Sequence, residues 1–221
     1  MTDTHPNAAS AAHTHAYILL DRTGSMGSIW AEALGSVNAY VEALTKPSED
    51  DKVTLAVFDH HAGLQFDVLR RAVTAASWKK VTDAEASPRG MTPLFDSIAR
   101  IVALAEEDQP ARAVIVVMTD GQENASKEVT KDGARAALDR ARAKGWEVIF
   151  LGAEFGKFSD AEAVGVGGSK SMAMSAGNFD ASMRKLASKS RKYFEAAESV
   201  DFDAEDRKES GEDDVKRRKG S

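Results

Sequence analysis

The 221-residue sequence predicts a doubly wound α/β fold, with a mostly parallel sheet, helices on both faces and one antiparallel edge strand. Three observations lead there. Short runs of aliphatic and β-branched residues alternate with longer stretches whose apolar positions recur at helical spacing. Most of the short runs are apolar at nearly every position, the pattern of strands covered on both faces. Hydrophobic residues make up 43% of the chain, enough for a sizeable core.

The apolar run AYILL predicts a first strand over 16–20. Ile29, Trp30, Ala33, Leu34, Val37, Val41 and Leu44 then recur at helical spacing until Pro47, which cannot continue a helix. Residues 53–58 and 64–69 flank DHHAG and predict a hairpin, the source of the antiparallel edge. Leu94, Ile98, Ile101, Val102 and Ala105 mark a second helix, with Pro93 at its first turn. Residues 113–118 read as a β-branched strand, 131–144 as a helix closed by Gly145, and 148–151 as the next strand. KSMAM predicts a last edge strand and 179–194 a final helix.

Both ends read differently from this middle. Residues 1–14 are small and polar without periodicity and predict a mobile arm, so His5, His13 and His15 are expected to be solvated. Residues 199–221 carry eight acidic and six basic residues, which predicts a charged, disordered tail and a folded domain over 15–198. With no cysteine, disulfides and thiolate chemistry are excluded and the cytoplasm is the expected compartment. The longest apolar run, over 113–118, is far too short to span a membrane, and residues 1–15 lack the layout of a signal peptide. A net charge of −6 offers no footprint for nucleic acid or an anionic membrane.

In such sheets ligands bind at the carboxyl ends of the strands, where the winding reverses. Two strands run straight into aspartate there. Leu20 leads into Asp21, and Val117, Met118 and Thr119 lead into Asp120. The stretch DRTGSM adds the hydroxyls of Thr23 and Ser25 on alternate residues, with Gly24 letting the backbone turn. A set made wholly of oxygen, with two carboxylates, suits a hard divalent ion such as Mg²⁺.

Three stretches then carry a family resemblance. DRTGSM resembles the Asp-x-Ser-x-Ser signature of von Willebrand factor A domains, GMTPLFDSI resembles the loop that gives their threonine, and VVMTDGQEN resembles their second-aspartate strand. The resemblance spans about residues 15–155, in the right order on the predicted elements, and implies a Rossmann-like fold of stand-alone bacterial or phage type. It further implies a metal-ion-dependent adhesion site, with Thr23, Ser25 and Thr92 as direct ligands and Asp21 and Asp120 acting directly or through water. The ion would be Mg²⁺, with Mn²⁺ and Ca²⁺ as alternatives, and an open coordination position would take an Asp or Glu from a protein partner. The family usually has serine where this chain has Thr23; the hydroxyl is kept, while the added methyl stiffens χ1.

Each residue also has a simpler account. Asp21, Thr23 and Ser25 are the types that cap a helix starting near Ser28, Thr92 before Pro93 is a good N-cap, and Asp120-Gly121 is an ordinary turn pair. A second functional reading treats DRTGS as a phosphorylation loop, because it is also similar to the Asp-Lys-Thr-Gly-Thr loop of ion-pumping ATPases and the Asp-x-Asp of haloacid-dehalogenase-like phosphatases. Asp21 would then be the nucleophile of a Mg²⁺-dependent phosphoryl-transfer hydrolase. Against it, Thr23 stands where the phosphatases need a second carboxylate. GVGGSKS over 165–171 has Gly-Ser-Lys rather than Gly-Lys-Ser and reads as a connection. His60 and His61 are placed at a hairpin tip on the rim of the site.

Overall fold

The computed structural model describes residues 13–45, 51–154 and 158–219. In chain order the elements are β1 (Thr14–Asp21), α1 (Trp30–Leu44), β2 (Lys52–His60), β3 (Leu64–Thr74), α2 (Leu94–Asp108), β4 (Arg112–Thr119), α3 (Lys131–Ala143), β5 (Glu147–Ala153), α4 (Ser159–Ala163), β6 (Ser171–Met174), α5 (Phe179–Ala196), α6 (Ala204–Glu209) and α7 (Glu212–Lys219). Six strands form one sheet in the order β3-β2-β1-β4-β5-β6. Within this sheet β2 and β3 pair antiparallel, and the other neighbouring strands pair parallel.

Burial explains the unbroken apolar runs. Along β1, Ala16, Ile18 and Leu20 enter one core with α1 and α5, while Tyr17 and Leu19 enter the other with α2 and α3. Side chains alternate across a strand, so a strand covered on both faces needs apolar residues at every position. The winding reverses between β1 and β4. Leu20 pairs with Met118 in that register, which brings Asp21 and Thr119 together at the carboxyl edge.

The structure departs from the sequence reading at both ends. Residues 1–12 and Pro47 lie outside the described residues, but Thr14 already belongs to β1 and His15 is fully buried, not solvated. Over its described residues, through 219, the C-terminal stretch forms two more helices after α5 where its composition predicts a disordered tail. Its larger apolar residues fall inward: Val200 and Phe202 join the α1/α5 core, and Val215 is buried as well. Asp203 caps α6 through a reciprocal capping box with Asp206, whose carboxylate also receives Lys189 at 2.8 Å and Lys185 at 3.4 Å from α5. Composition averaged over the segment hides this, because the pairing charges sit on a helix far back in the chain. Lys170, within GVGGSKS, likewise serves the tail and the sheet, bonding Glu147 at 2.6 Å and the Val200 carbonyl at 2.9 Å.

His15 stacks on Tyr17 at 3.9 Å between ring centroids, and its Nε2 lies 2.9 Å from Thr54 Oγ1. Burial, helped by the charges of His13, Lys52 and Arg71, lowers its pKa to about 3. Asp108 lies 3.7 Å from Nδ1, but it already accepts the Tyr17 hydroxyl at 2.8 Å and Arg71 at 3.0 Å, so burial outweighs it. The native state therefore refuses a proton that the unfolded chain takes up below its ordinary value of 6.5. Stability is expected to fall by about 1.4 kcal/mol per pH unit below that point, levelling off near the folded value. Urea melts across this range should show the slope in wild type and a shallower one in His15→Leu.

Candidate functional site

Three loops meet at the carboxyl ends of β1 and β4. The first leaves β1 at Asp21, a fully buried residue. Its Oδ1 accepts the Thr23 amide at 2.7 Å and its Oδ2 accepts the Thr119 hydroxyl at 2.6 Å. Thr23 Oγ1 lies 3.2 Å from Ser25 Oγ, which donates to Asp120 Oδ1 at 2.8 Å. Thr23 precedes a short 3₁₀ turn over Gly24–Ser28, and no side-chain capping bond forms there. The capping account of Asp21, Thr23 and Ser25 is thus not what the structure adopts.

The second loop carries Thr92, and the third runs from Thr119 through Ser126. Thr92 is buried, and a Cβ placed on Gly121 would sit 3.7 Å from its Oγ1, so the hydroxyl borders the Asp120-Gly121 turn. Pro93, not Thr92, occupies the cap position of α2, with no side-chain cap bond. The two loops are laced by main chain and side chain. Asn124 Oδ1 accepts the Thr92 amide at 2.8 Å, and the Asn124 amide donates to the Thr92 carbonyl at 3.1 Å.

The first turn of α2 is capped from the third loop. Glu123 Oε2 accepts the Phe95 amide at 2.9 Å and Ser126 Oγ accepts the Asp96 amide at 3.1 Å. Asp96 reciprocates by accepting the amides of Lys127, Glu128 and Val129 at 2.7 to 3.0 Å. This exchange satisfies helix-end donors that a local cap would otherwise serve. The sequence reading missed Thr119, Glu123, Asn124, Ser126 and Asp96, since their partners lie about thirty or more residues away. Only the polar density of TDGQENAS signalled the first four of them.

Asp21, Thr23, Ser25 and Asp120 are therefore joined in sequence across two loops, and Thr92 on the third lies against the Asp120-Gly121 turn. Burial raises the Asp21 pKa to about 7 despite its three hydrogen bonds from Thr119 and Thr23, and the charge of Asp120 adds to the rise. A desolvated carboxylate facing a second one is the setting in which a nearby cation is favourable. Among the described residues, no group of three or more His, Asp or Glu is arranged to hold a metal. A cation here would rest on two carboxylates plus hydroxyl oxygens, a donor set that fits a hard divalent ion. Beside these loops His60 and Met91 form a backbone bridge, Met91 is half exposed, and His61 is exposed.

Comparison with known proteins agrees with this architecture. A search of curated protein sequences found no match. The open conformation of the pilus adhesin SpaC from Lactobacillus rhamnosus GG superposes with a TM-score of 0.66 at 12% identity, covering 84% of this chain and 31% of that one. The conserved hypothetical protein BatB from Bacteroides thetaiotaomicron superposes with a TM-score of 0.56 at 16% identity, over 83% of this chain and 100% of that one. A von Willebrand factor type A protein from Catenulispora acidiphila gives 0.52 at 18% identity, over 81% and 43%. This chain thus spans about a third of the adhesin's length, and at these identities the likeness is one of fold. In sequence, the family profile of the von Willebrand factor type A domain matches residues 16–205. A match of that extent, on a sheet wound in this order, means that the chain belongs to the von Willebrand factor type A domain family.

Proposed function

We propose that the chain is a binding module that captures a carboxylate of a partner protein through a divalent ion held by Asp21, Thr23, Ser25, Thr92 and Asp120. One observation supports the reading: at the point where the sheet's winding reverses, the hydroxyls of Thr23 and Ser25 link the loop of the buried Asp21 to Asp120, with the Thr92 hydroxyl beside Gly121. Bound Mg²⁺, or Mn²⁺ or Ca²⁺, supplies the positive charge that draws in an Asp or Glu side chain. Asp21 and Asp120 lower the cost of holding that charge, and the hydroxyls of Thr23, Ser25 and Thr92 offer neutral oxygens that leave it incompletely neutralised. The exposed rim at His61 and Met91 provides the contacts that select a partner.

The phosphoryl-transfer alternative asks Asp21 to attack a phosphorus atom. Its two oxygens are buried and already accept hydrogen bonds, so it is poorly presented as a nucleophile. The adhesive reading is tested with Mn²⁺ as the probe, followed by the relaxation of water protons. One saturable site is expected, and added acetate should lower the enhancement by displacing bound water. Absence of saturable binding up to about 10 mM, above the range of weak oxygen-ligand sites, would overturn it.

A further inference from the structure

We infer that Asp59 is a positioning residue for this site, acting through Arg22 and Arg89 to hold the loop of Thr23 against the loop of Thr92; the inference rests on the metal-binding reading above. Asp59 lies near the carboxyl end of β2, two strands from β4, and is fully buried. Its Oδ2 receives Arg22 Nε at 2.5 Å and Arg89 Nε at 3.3 Å. The Arg22 guanidinium extends on to Asp67 of β3, also at 2.5 Å.

The placement of these residues ties them to the site. Arg22 stands between Asp21 and Thr23, and its side chain reaches the β2–β3 hairpin while its neighbours serve the crevice. The main chain at the same spot is laced to both other segments. Arg22 N donates to the Phe58 carbonyl at 3.0 Å, Arg89 N to the Arg22 carbonyl at 2.8 Å, and Gly24 N to the Gly90 carbonyl at 3.2 Å. The pair His60 and Met91 closes the far side, exchanging bonds of 2.9 and 3.3 Å. Asp59 therefore sits where the first loop, the second loop and the hairpin converge.

Gly90 shows how closely the second loop is pressed onto this carboxylate. It has a φ of +70°, and a Cβ there would come within 2.4 Å of the His60 carbonyl oxygen and 3.3 Å of Asp59 Oδ1. Two residues later the chain turns Thr92 inward. A fully buried carboxylate is costly unless it is paired, and both arginines reach Asp59 through Nε on the same oxygen, Oδ2, which holds it by charge and direction together. Loss of that direction would free residues 89–92 to drift, and the hydroxyl of Thr92 would drift with them.

Groups that orient ligands from outside the coordination sphere typically alter metal affinity 10- to 100-fold, so about a tenfold loss is expected here. The test uses the full chain with Asp59→Asn, the milder Arg89→Gln, whose side chain is part exposed, and Lys170→Met as a control in a remote ion pair. Mn²⁺ affinity is read by water-proton relaxation, and apo-state order by hydrogen exchange at the Gly24 and Met91 amides. Both site variants should bind Mn²⁺ about tenfold more weakly and exchange those two amides faster without metal, whereas Lys170→Met lowers the melting temperature alone. Should Asp59→Asn fail to fold, Arg89→Gln decides. Wild-type affinity in a folded Arg89→Gln, or an equal loss in Lys170→Met, overturns the positioning role. A wild-type chain that binds no Mn²⁺ overturns the metal-binding reading itself, and the inference with it.

Discussion

An Asp21→Asn chain is expected to bind Mg²⁺ about two orders of magnitude more weakly than wild type, a loss of roughly 3 kcal/mol, while its metal-free form melts higher at neutral pH, because the native state no longer has to bury that charge. The asparagine preserves the local hydrogen bonds. Its Oδ1 still accepts the Thr23 amide, seen at 2.7 Å, and its amide nitrogen can donate to Thr119 Oγ1 where the carboxylate accepted at 2.6 Å. The Thr119 proton then turns to the Gly121 carbonyl, already 3.1 Å away. What disappears is the negative charge, whose burial holds the pKa near 7 and which only a cation would reward. Calorimetry with Mg²⁺ and thermal melts in EDTA check the two halves separately. Affinity within about threefold of wild type would remove Asp21 from the site.

Asp96→Ala should act on the fold instead. Its side chain is buried and accepts three backbone amides from the loop that carries Asp120. Truncation strands those donors at about 1–3 kcal/mol each where water cannot reach. Lys127 and Glu128 border solvent, which moderates the total to about 3 kcal/mol, or about a 10 °C fall in melting temperature for a chain of this size. The amides of Lys127, Glu128 and Val129 should also exchange faster than those of β4. A melting temperature within about 2 °C of wild type would show that water replaces the carboxylate at little cost.

The alternation of strands and helices was legible from periodicity alone, because a strand buried on both faces and an amphipathic helix each leave a mark within a few residues of themselves. Asp21, Thr23 and Ser25 were legible for the same reason, standing on one short loop at spacings that a sequence displays. Asp120 was legible as a candidate from the strand that runs into it, and Thr92 only through the order of the motifs. The ordered C-terminal segment was not legible. Its charges look like a solvated tail until Lys185 and Lys189 of α5 are seen to hold Asp206, and Val200 and Phe202 to fill the core beneath.

Strand placement, helix placement and the chemical type of each candidate ligand are local properties, and the chain spells them out along its length. How the crevice is held together is not local. The bonds from Glu123 and Ser126 to α2, from Asn124 to Thr92, and from Asp59 to Arg22 and Arg89 join residues 28 to 37 positions apart. A hydrogen bond or ion pair across such distances depends on which strands the winding makes neighbours, and no spacing rule records it. That is why candidate oxygens could be named before the sheet was seen, while the bonds that join their loops could not.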